Sequence, residues 1–313
     1  ELGEESVTFL GEGNRFLVSE NLTGSASFLT VNATNDTQKY QSSPVVLSGI
    51  CLLGNYFKND LSYNGVTALS FGTAWVQKRK IQNVGISLFN VGMKFIAAVE
   101  THINGCSVMA CDTGIYFSET SSGYNPVPCF FESGVIELNG RGIYAPNGGF
   151  SVLFISNSGI SGGRQLYYGK TLLYINNCRH EVALDALCDN SRTPMATIVC
   201  NGTATSDADA GLIMNNVEVL TTSSGYWKGL DLFVNATHYT RSSDINYLWE
   251  IYNPYSNLNV AAELNNISYN NGDKGVSYLL RCQGNNIMSS NLRTVFYNKK
   301  SVGTGRFFID NTN

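Results

Sequence analysis

DTGIYFSE, residues Asp112–Glu119, holds a Gly-Ile pair at Gly114-Ile115 that returns along the chain in similar company. NVGISLF carries it at Gly85-Ile86, GRGIYAP at Gly142-Ile143, NSGISGG at Gly159-Ile160 and LSGICLL at Gly49-Ile50. ESGVIEL has the variant Gly134-Val135. Around these pairs run short segments rich in β-branched and aromatic residues that end in Asn or Gly: ISLFN, THING, VIELNG, VLFISN, LLYINN, TIVCNG, GLIMNN, LFVN, WEIYN, AAELNN, LRCQGNN and RFFIDN. From Asn90 to Asn311 the endings recur about every 20 residues. Apolar residues at helical spacing are nearly absent.

A repeat of this kind predicts an all-β fold, a parallel β-solenoid. One coil of short strands cannot bury its apolar side alone, so coils stack and like residues pile up in the interior. On this reading the glycine of each pair turns a corner, where φ > 0 excludes β-branched residues, and the isoleucine enters the core. Unequal gaps are loops inserted between strands, such as SETSSGYNPVP from Ser118 to Pro128. Only six prolines occur, which suits strands that need every N–H. An antiparallel sandwich is the competing fold, with turns at Asn64-Gly65, Asn104-Gly105, Asn139-Gly140, Asn147-Gly148, Asn201-Gly202 and Asn271-Gly272. The solenoid is preferred because consecutive hairpin strands have no reason to end alike.

Charged residues are 14% of the chain and the net charge is −4, with a pI of about 5.4. That balance argues against nucleic acid, which needs a basic stripe. QKRK at Gln77–Lys80 reads as a solvated turn. No apolar run reaches the roughly 18 residues of a membrane helix, so no membrane insertion is expected. A start at Glu1 without a signal-like segment points to a processed or trimmed chain that lacks neighbouring domains. Eight cysteines without CxxC or Cys/His spacing predict neither a disulfide framework nor a metal site. Cys106, Cys111, Cys178, Cys200 and Cys282 read as buried free thiols. The sequons at Asn21, Asn32, Asn35, Asn201, Asn235 and Asn266 carry no information, because Asn, Ser and Thr are abundant enough to produce them by chance. No nucleotide, zinc-protease or GxSxG motif is present, and DADAG at Asp207 is only an acidic turn. No cofactor is expected.

The run from Lys80 to Cys178, with KIQNVGISLFN, HINGCSVMACDTGIYFSE, CFFESGVIELNGRGIYA and GGFSVLFISNSGISGG, resembles a bacteriophage tailspike of the pectate-lyase-like right-handed β-helix kind. NGVTALSFG at Asn64 has the same style. The resemblance covers about two thirds of the chain and implies a right-handed parallel β-helix, a homotrimer, and a virion protein that binds and often cleaves bacterial surface polysaccharide. Pectinases of this fold carry NTD, DD, GHD and RIK signatures. Here Asn35-Asp36 is followed by Thr37, and GHD and RIK are missing, so a polygalacturonase is not expected.

Hydrolysis of a glycosidic bond needs two carboxylates flanking it, one protonated and one ionised. Outward residues on adjacent coils lie roughly 4.8 Å apart, so neighbouring coils can supply such a pair. Glu100, Asp112, Glu119, Glu132 and Glu137 form the richest supply. Glu119 and Glu137 are the expected acid/base pair, with Asp112 and Glu132 as substitutes. Ile136 and Leu138 are expected inward, leaving Glu137 outward.

CRHEVALD offers a second constellation, Arg179, His180, Glu181 and Asp185. A polysaccharide lyase needs a base and a cation, and His180 with Arg179 can supply both if a corner at Asn176-Asn177 brings them together. Sugar stacking is expected from aromatic residues near turns: Tyr124, Tyr144, Tyr167, Tyr168, Tyr226, Trp227, Tyr239 and Tyr255, with Trp227 the strongest platform and Arg141 beside Tyr144. The chain 1–313 is thus expected to be a single domain with roughly 1–44 as capping coils. Its expected function is polysaccharide depolymerisation by hydrolysis. The alternatives are a lyase and a non-catalytic receptor-binding or structural virion protein.

Overall fold

The computed structural model describes residues 8–10, 15–17, 27–31, 45–54, 66–71, 79–95, 100–118, 128–148, 151–183, 198–201, 210–222, 247–253, 260–270, 278–284, 287–291 and 309–312. Among them are 25 strands and no helix. Every strand pairing is parallel, and through the first half each strand pairs with the third one after it. Val45–Ser48 pairs with Arg79–Gln82, which pairs with Thr101–Asn104, which pairs with Cys129–Glu132. Successive turns of chain therefore lie on one another, the pairing that a β-solenoid has. Antiparallel hairpins are absent among the described strands.

Three faces result. The first carries the strands just named and continues through Val152–Ser156 and Leu172–Asn176. The second carries Cys51–Leu53, Gly85–Ser87, Ser107–Met109 and Arg179–Ala183. The third carries Thr67–Phe71, Val91–Phe95, Thr113–Phe117 and Ile198–Asn201. Long strands such as Val135–Ala145 and Gly159–Gly169 run from the second face into the third.

Strand alternation sends one residue set inward and the other outward. The first face contributes Leu47, Ile81, Ile103, Phe131, Ile155 and Ile175 to the core, in register from coil to coil. Leu52, Ile86, Val108, Ile136 and Ile160 form the inner row of the second face. Phe71, Phe95 and Phe117 stack inside the third, with ring centroids 4.9 and 5.2 Å apart. Arg79 is also internal. It is 0% exposed, its guanidinium carbon is 5.0 Å from the Phe71 ring centroid, and burial pushes its pKa down to about 9. QKRK is therefore not a solvated turn throughout: Arg79 and Lys80 open a strand whose alternation turns one side chain in and the other out.

The corner between first and second faces is a column of left-handed residues: Gly49, Asn83, Gly105, Ser133, Asn157, Asn177 and Asn216, with φ between 50 and 71°. The next residue faces inward, and where it is Cys106, Ser158 or Cys178 its short polar group caps a carbonyl two residues back. Cys106 Sγ donates to the Asn104 carbonyl at 3.4 Å, Ser158 Oγ to Ser156 at 2.7 Å, and Cys178 Sγ to Asn176 at 3.3 Å.

In most pairs the glycine does not turn the corner as expected; only Gly49 does. Gly85 and Gly159 begin strands, and the asparagine two residues earlier makes the turn. Gly114 and Gly142 answer to crowding. A Cβ on Gly114 would lie 2.7 Å from the Gly142 carbonyl oxygen, and one on Gly142 would lie 2.6 Å from that of Leu166.

The 20-residue cadence also mixes faces. THING, VLFISN, LLYINN, GLIMNN and AAELNN end first-face segments, whereas TIVCNG and WEIYN lie on the third. Equivalent corner residues Asn157 and Asn177 are 20 apart, but the equivalent Asn215 and Asn265 are 50 apart. Cys106, Cys111, Cys178 and Cys200 are buried free thiols, as is Cys129, with Cys51 half-buried. Burial raises the Cys111 and Cys129 pKa values to about 12. The side chain of Cys282 lies outside the described residues.

Candidate functional site

The outer row of the third face runs Lys94, Tyr116, Tyr144 and Tyr168, one residue per coil in register. All four are half-buried. Their inward neighbours Met93, Ile115, Ile143 and Tyr167 are in the core, which fixes the strands and aims the alternate side chains outward. The Tyr116 and Tyr144 ring centroids are 5.7 Å apart at 19°, and Tyr144 and Tyr168 are 5.6 Å apart at 43°. The Arg141 guanidinium carbon sits 4.3 Å from the Tyr144 centroid, close enough for a cation–π contact. Rings stacked this way cover one another's faces and present their edges, so the groups they offer outward are phenol hydroxyls, each a donor and an acceptor.

The corner before this face is built around Asn139, which is 0% exposed. Its Nδ2 donates to the Val108 carbonyl at 2.9 Å and its Oδ1 accepts the Cys111 N–H at 2.9 Å. This cross-brace ties one coil to the next where the strand Val135–Ala145 turns into the third face, just before Arg141.

A second outer row lies on the first face: His102, Phe130, Phe154 and Tyr174. Its centroid spacings are 4.6, 5.2 and 5.3 Å. Beside it Asn265 Nδ2 donates to Asn215 Oδ1 at 2.8 Å, and Asn215 Nδ2 to the Tyr174 hydroxyl at 2.7 Å. Here the two middle rungs, Phe130 and Phe154, present hydrocarbon edges.

Of the expected site residues, the structure brings Arg141, Tyr144 and Tyr168 together, and it adds Tyr116. Tyr167 and His180 are core residues. Tyr167 is 0% exposed, with its hydroxyl 3.3 Å from Thr171 Oγ1. His180 occupies the rung between Ile160 and Val219 and is also 0% exposed. The expectation of an outward imidazole acting with Arg179 is thereby corrected. Adjacent strand residues face opposite ways, so Arg179 points outward, with Nε 3.9 Å from Glu218 Oε2, while His180 points in. Burial lowers the His180 pKa to about 3, neither ring nitrogen has a hydrogen-bond partner, and the Trp249 ring lies 6.3 Å away.

Glu137 is half-buried on the second face, in register with Met109. Leu138 is not inward as expected: it has φ 59° at the following corner. Glu132 ends the first-face strand, so Glu132 and Glu137 stand at opposite ends of one coil's second face. Asp112 sits at the corner leading to the third face, where its carbonyl accepts the Arg141 N–H at 2.7 Å. Glu119, Tyr124, Tyr226, Trp227, Tyr239 and Tyr255 lie outside the described residues, as do the side chains of Glu181 and Asp185. Tyr116 was missed because only turn-proximal aromatics were weighed; its signal was the shared IY of Tyr116 and Tyr144, one residue after each Gly-Ile pair.

No protein-family model matches this chain. No curated protein and no solved structure matches it either. The tyrosine row is therefore read from its own chemistry. It offers three tyrosines with ring centroids 5.7 and 5.6 Å apart, an arginine among them and a lysine at one end.

Proposed function

We propose that this chain binds a bacterial surface polysaccharide along its third face, as a right-handed β-helix of the bacteriophage tailspike kind that acts from the virion as a homotrimer. The observation that carries the reading is the Tyr116–Tyr144–Tyr168 row with Arg141 over Tyr144. A polysaccharide is a linear repeat of hydroxyls and ring oxygens, and a linear repeat of phenols meets it with matched donors and acceptors. Purified capsule or O-antigen should be retained by the protein, and Tyr144→Ala should weaken retention at unchanged fold. Full retention by that variant sinks the reading.

Cleavage is the second reading, and it rests on position. Glu119 is the residue after Ser118, whose N–H is bonded to the Phe95 carbonyl at 2.9 Å at the end of the Tyr116 strand. On this reading Glu119, which lies outside the described residues, and Glu137 on the second face are the acid/base pair of a hydrolase. Reducing ends that appear with the native protein, and disappear in Glu119→Gln and Glu137→Gln, support it. Binding without new ends supports a non-catalytic receptor-binding protein. Since His180 is in the core, a lyase using it as base is not proposed.

A further inference from the structure

We infer that the third face takes a short segment of sugar chain, about four residues long and laid along the stack, because its outer row is closed at both ends; this rests on the polysaccharide-binding reading above. The closure is read from two outward positions that are buried. Below Lys94 the row continues to Ser70, its register partner on the preceding coil. Leu69 and Phe71 on either side belong to the core, so Ser70 points outward, yet it is only 7% exposed. Above Tyr168 the row continues to Val199. Its neighbours Ile198 and Cys200 belong to the core cluster and Val199 does not, yet it is only 2% exposed. Between these two rungs Lys94, Tyr116, Tyr144 and Tyr168 are half-buried, as outward side chains on an open face are. A sugar is larger than a water molecule, so a rung that water barely reaches is a rung that no sugar touches. Glu250, the next register partner beyond Val199, is thereby set apart from the tyrosines by a covered rung, and its side chain lies outside the described residues.

The length of the window is set by the fold. Lys94, Tyr116, Tyr144 and Tyr168 are its rungs. At a strand separation of about 4.8 Å the first and last of them lie roughly 14 Å apart. A pyranose advances a glycan chain by close to one strand separation, so the window holds one sugar per rung. The tyrosine centroids, 5.7 and 5.6 Å apart, bring successive rings opposite successive sugars. A longer segment must lift away from the face at Ser70 or at Val199, and it gains no contact with either. Recognition then belongs to a unit the size of a polysaccharide repeat, and chain length contributes only by offering that unit many times.

The test uses the whole protein and a ladder of oligosaccharides cut from a purified capsule or O-antigen that it retains, with binding measured by calorimetry. Each sugar added up to about the fourth should raise affinity by about threefold to tenfold, the worth of one neutral hydrogen bond. Beyond that length affinity should stay constant within about twofold, once divided by the number of frames that each oligosaccharide presents. Lys94→Ala and Tyr168→Ala each remove an end rung and should shorten the plateau by about one sugar, a readout that a folding defect alone would not move. If affinity per frame keeps rising past about six sugars, the row is not closed and the length inference fails, while the polysaccharide reading survives. The inference also fails if a disaccharide binds as tightly as the longest member, since the ligand would then lie across the strands. If no polysaccharide is retained, both fall.

Discussion

Inside the second face, Leu52, Ile86, Val108, Ile136 and Ile160 repeat one kind of residue for five coils. Outside the third face, Lys94, Tyr116, Tyr144 and Tyr168 also repeat, but with polar edges. Both rows come from the same parallel register, with spacing set by the strand separation. They differ in what a substitution touches. An inner rung has neighbours on every side and no water, so its chemistry is paid in stability. An outer rung has a free edge, so its chemistry is available to a ligand. One position on the inner row breaks the pattern: at His180 the aliphatic series gives way to an imidazole whose two nitrogens have no partner.

The largest effect is expected on the inside. Phe95 stacks between Phe71 and Phe117, and the Arg79 guanidinium carbon lies 5.8 Å from its centroid. Phe95→Ala should cost about 3–5 kcal/mol in denaturant unfolding followed by circular dichroism. The cavity would also take one aromatic neighbour away from the buried cation. An outer Tyr116→Ala should cost about 0.5–1.5 kcal/mol, the scale of one aromatic pair. Equal losses at the two sites would erase the distinction between inner and outer rows.

Next is the break itself. His180→Leu should stabilise the fold at neutral pH by about 1–3 kcal/mol, because it removes buried polar atoms that bond to nothing. Its pH dependence separates this from better packing. Burial holds the folded-state pKa near 3, below the ordinary 6.5, so the neutral imidazole's contribution is complete above pH 6.5. It is lost as pH falls towards 3, because the unfolded chain takes up a proton that the folded chain refuses, at up to about 1.4 kcal/mol per pH unit. The difference in stability between native and His180→Leu protein should therefore widen from pH 6.5 downward. A constant difference would mean that His180 is charged or solvated in the fold.

Much of this was legible where residue type and backbone need coincide. Asn83, Asn157, Asn177 and Asn216 announce their corner because asparagine tolerates the left-handed region. The second corner was not legible, since Leu88, Ala110 and Leu138 hold positive φ without any residue preference for it. There the conformation is imposed by the stack: the Leu88 N–H bonds the Met109 carbonyl at 3.3 Å, the Ala110 N–H bonds Glu137 at 3.2 Å, and Asn139 braces the turn from inside. The same limit applied to the site. Arg141 and Tyr144 could be paired from sequence because they are three residues apart, whereas the alignment of Tyr116 with Tyr168 depends on how much chain each coil inserts. His180 looked functional for a related reason: a histidine beside an arginine has the composition of a base site, and only the strand parity set by the coil below sends it inward.

The smallest effect is the most discriminating for the outer rows. Tyr144→Phe keeps the ring, its 5.7 Å stack on Tyr116 and the surface beneath Arg141, and deletes one hydroxyl. It turns that rung of the third face into a copy of the first face, where Phe130 and Phe154 stack at 5.2 Å with no hydroxyl. Stability should change by about 0.5 kcal/mol or less, as for other partly exposed surface substitutions. Affinity for a bound polysaccharide should fall by about threefold to tenfold, the worth of one neutral hydrogen bond. Phe154→Tyr, the reverse exchange on the first face, should leave that affinity where it was. If instead Phe154→Tyr alters binding and Tyr144→Phe does not, the ligand lies on the first face, and the phenol edges of the third are ordinary solvated surface.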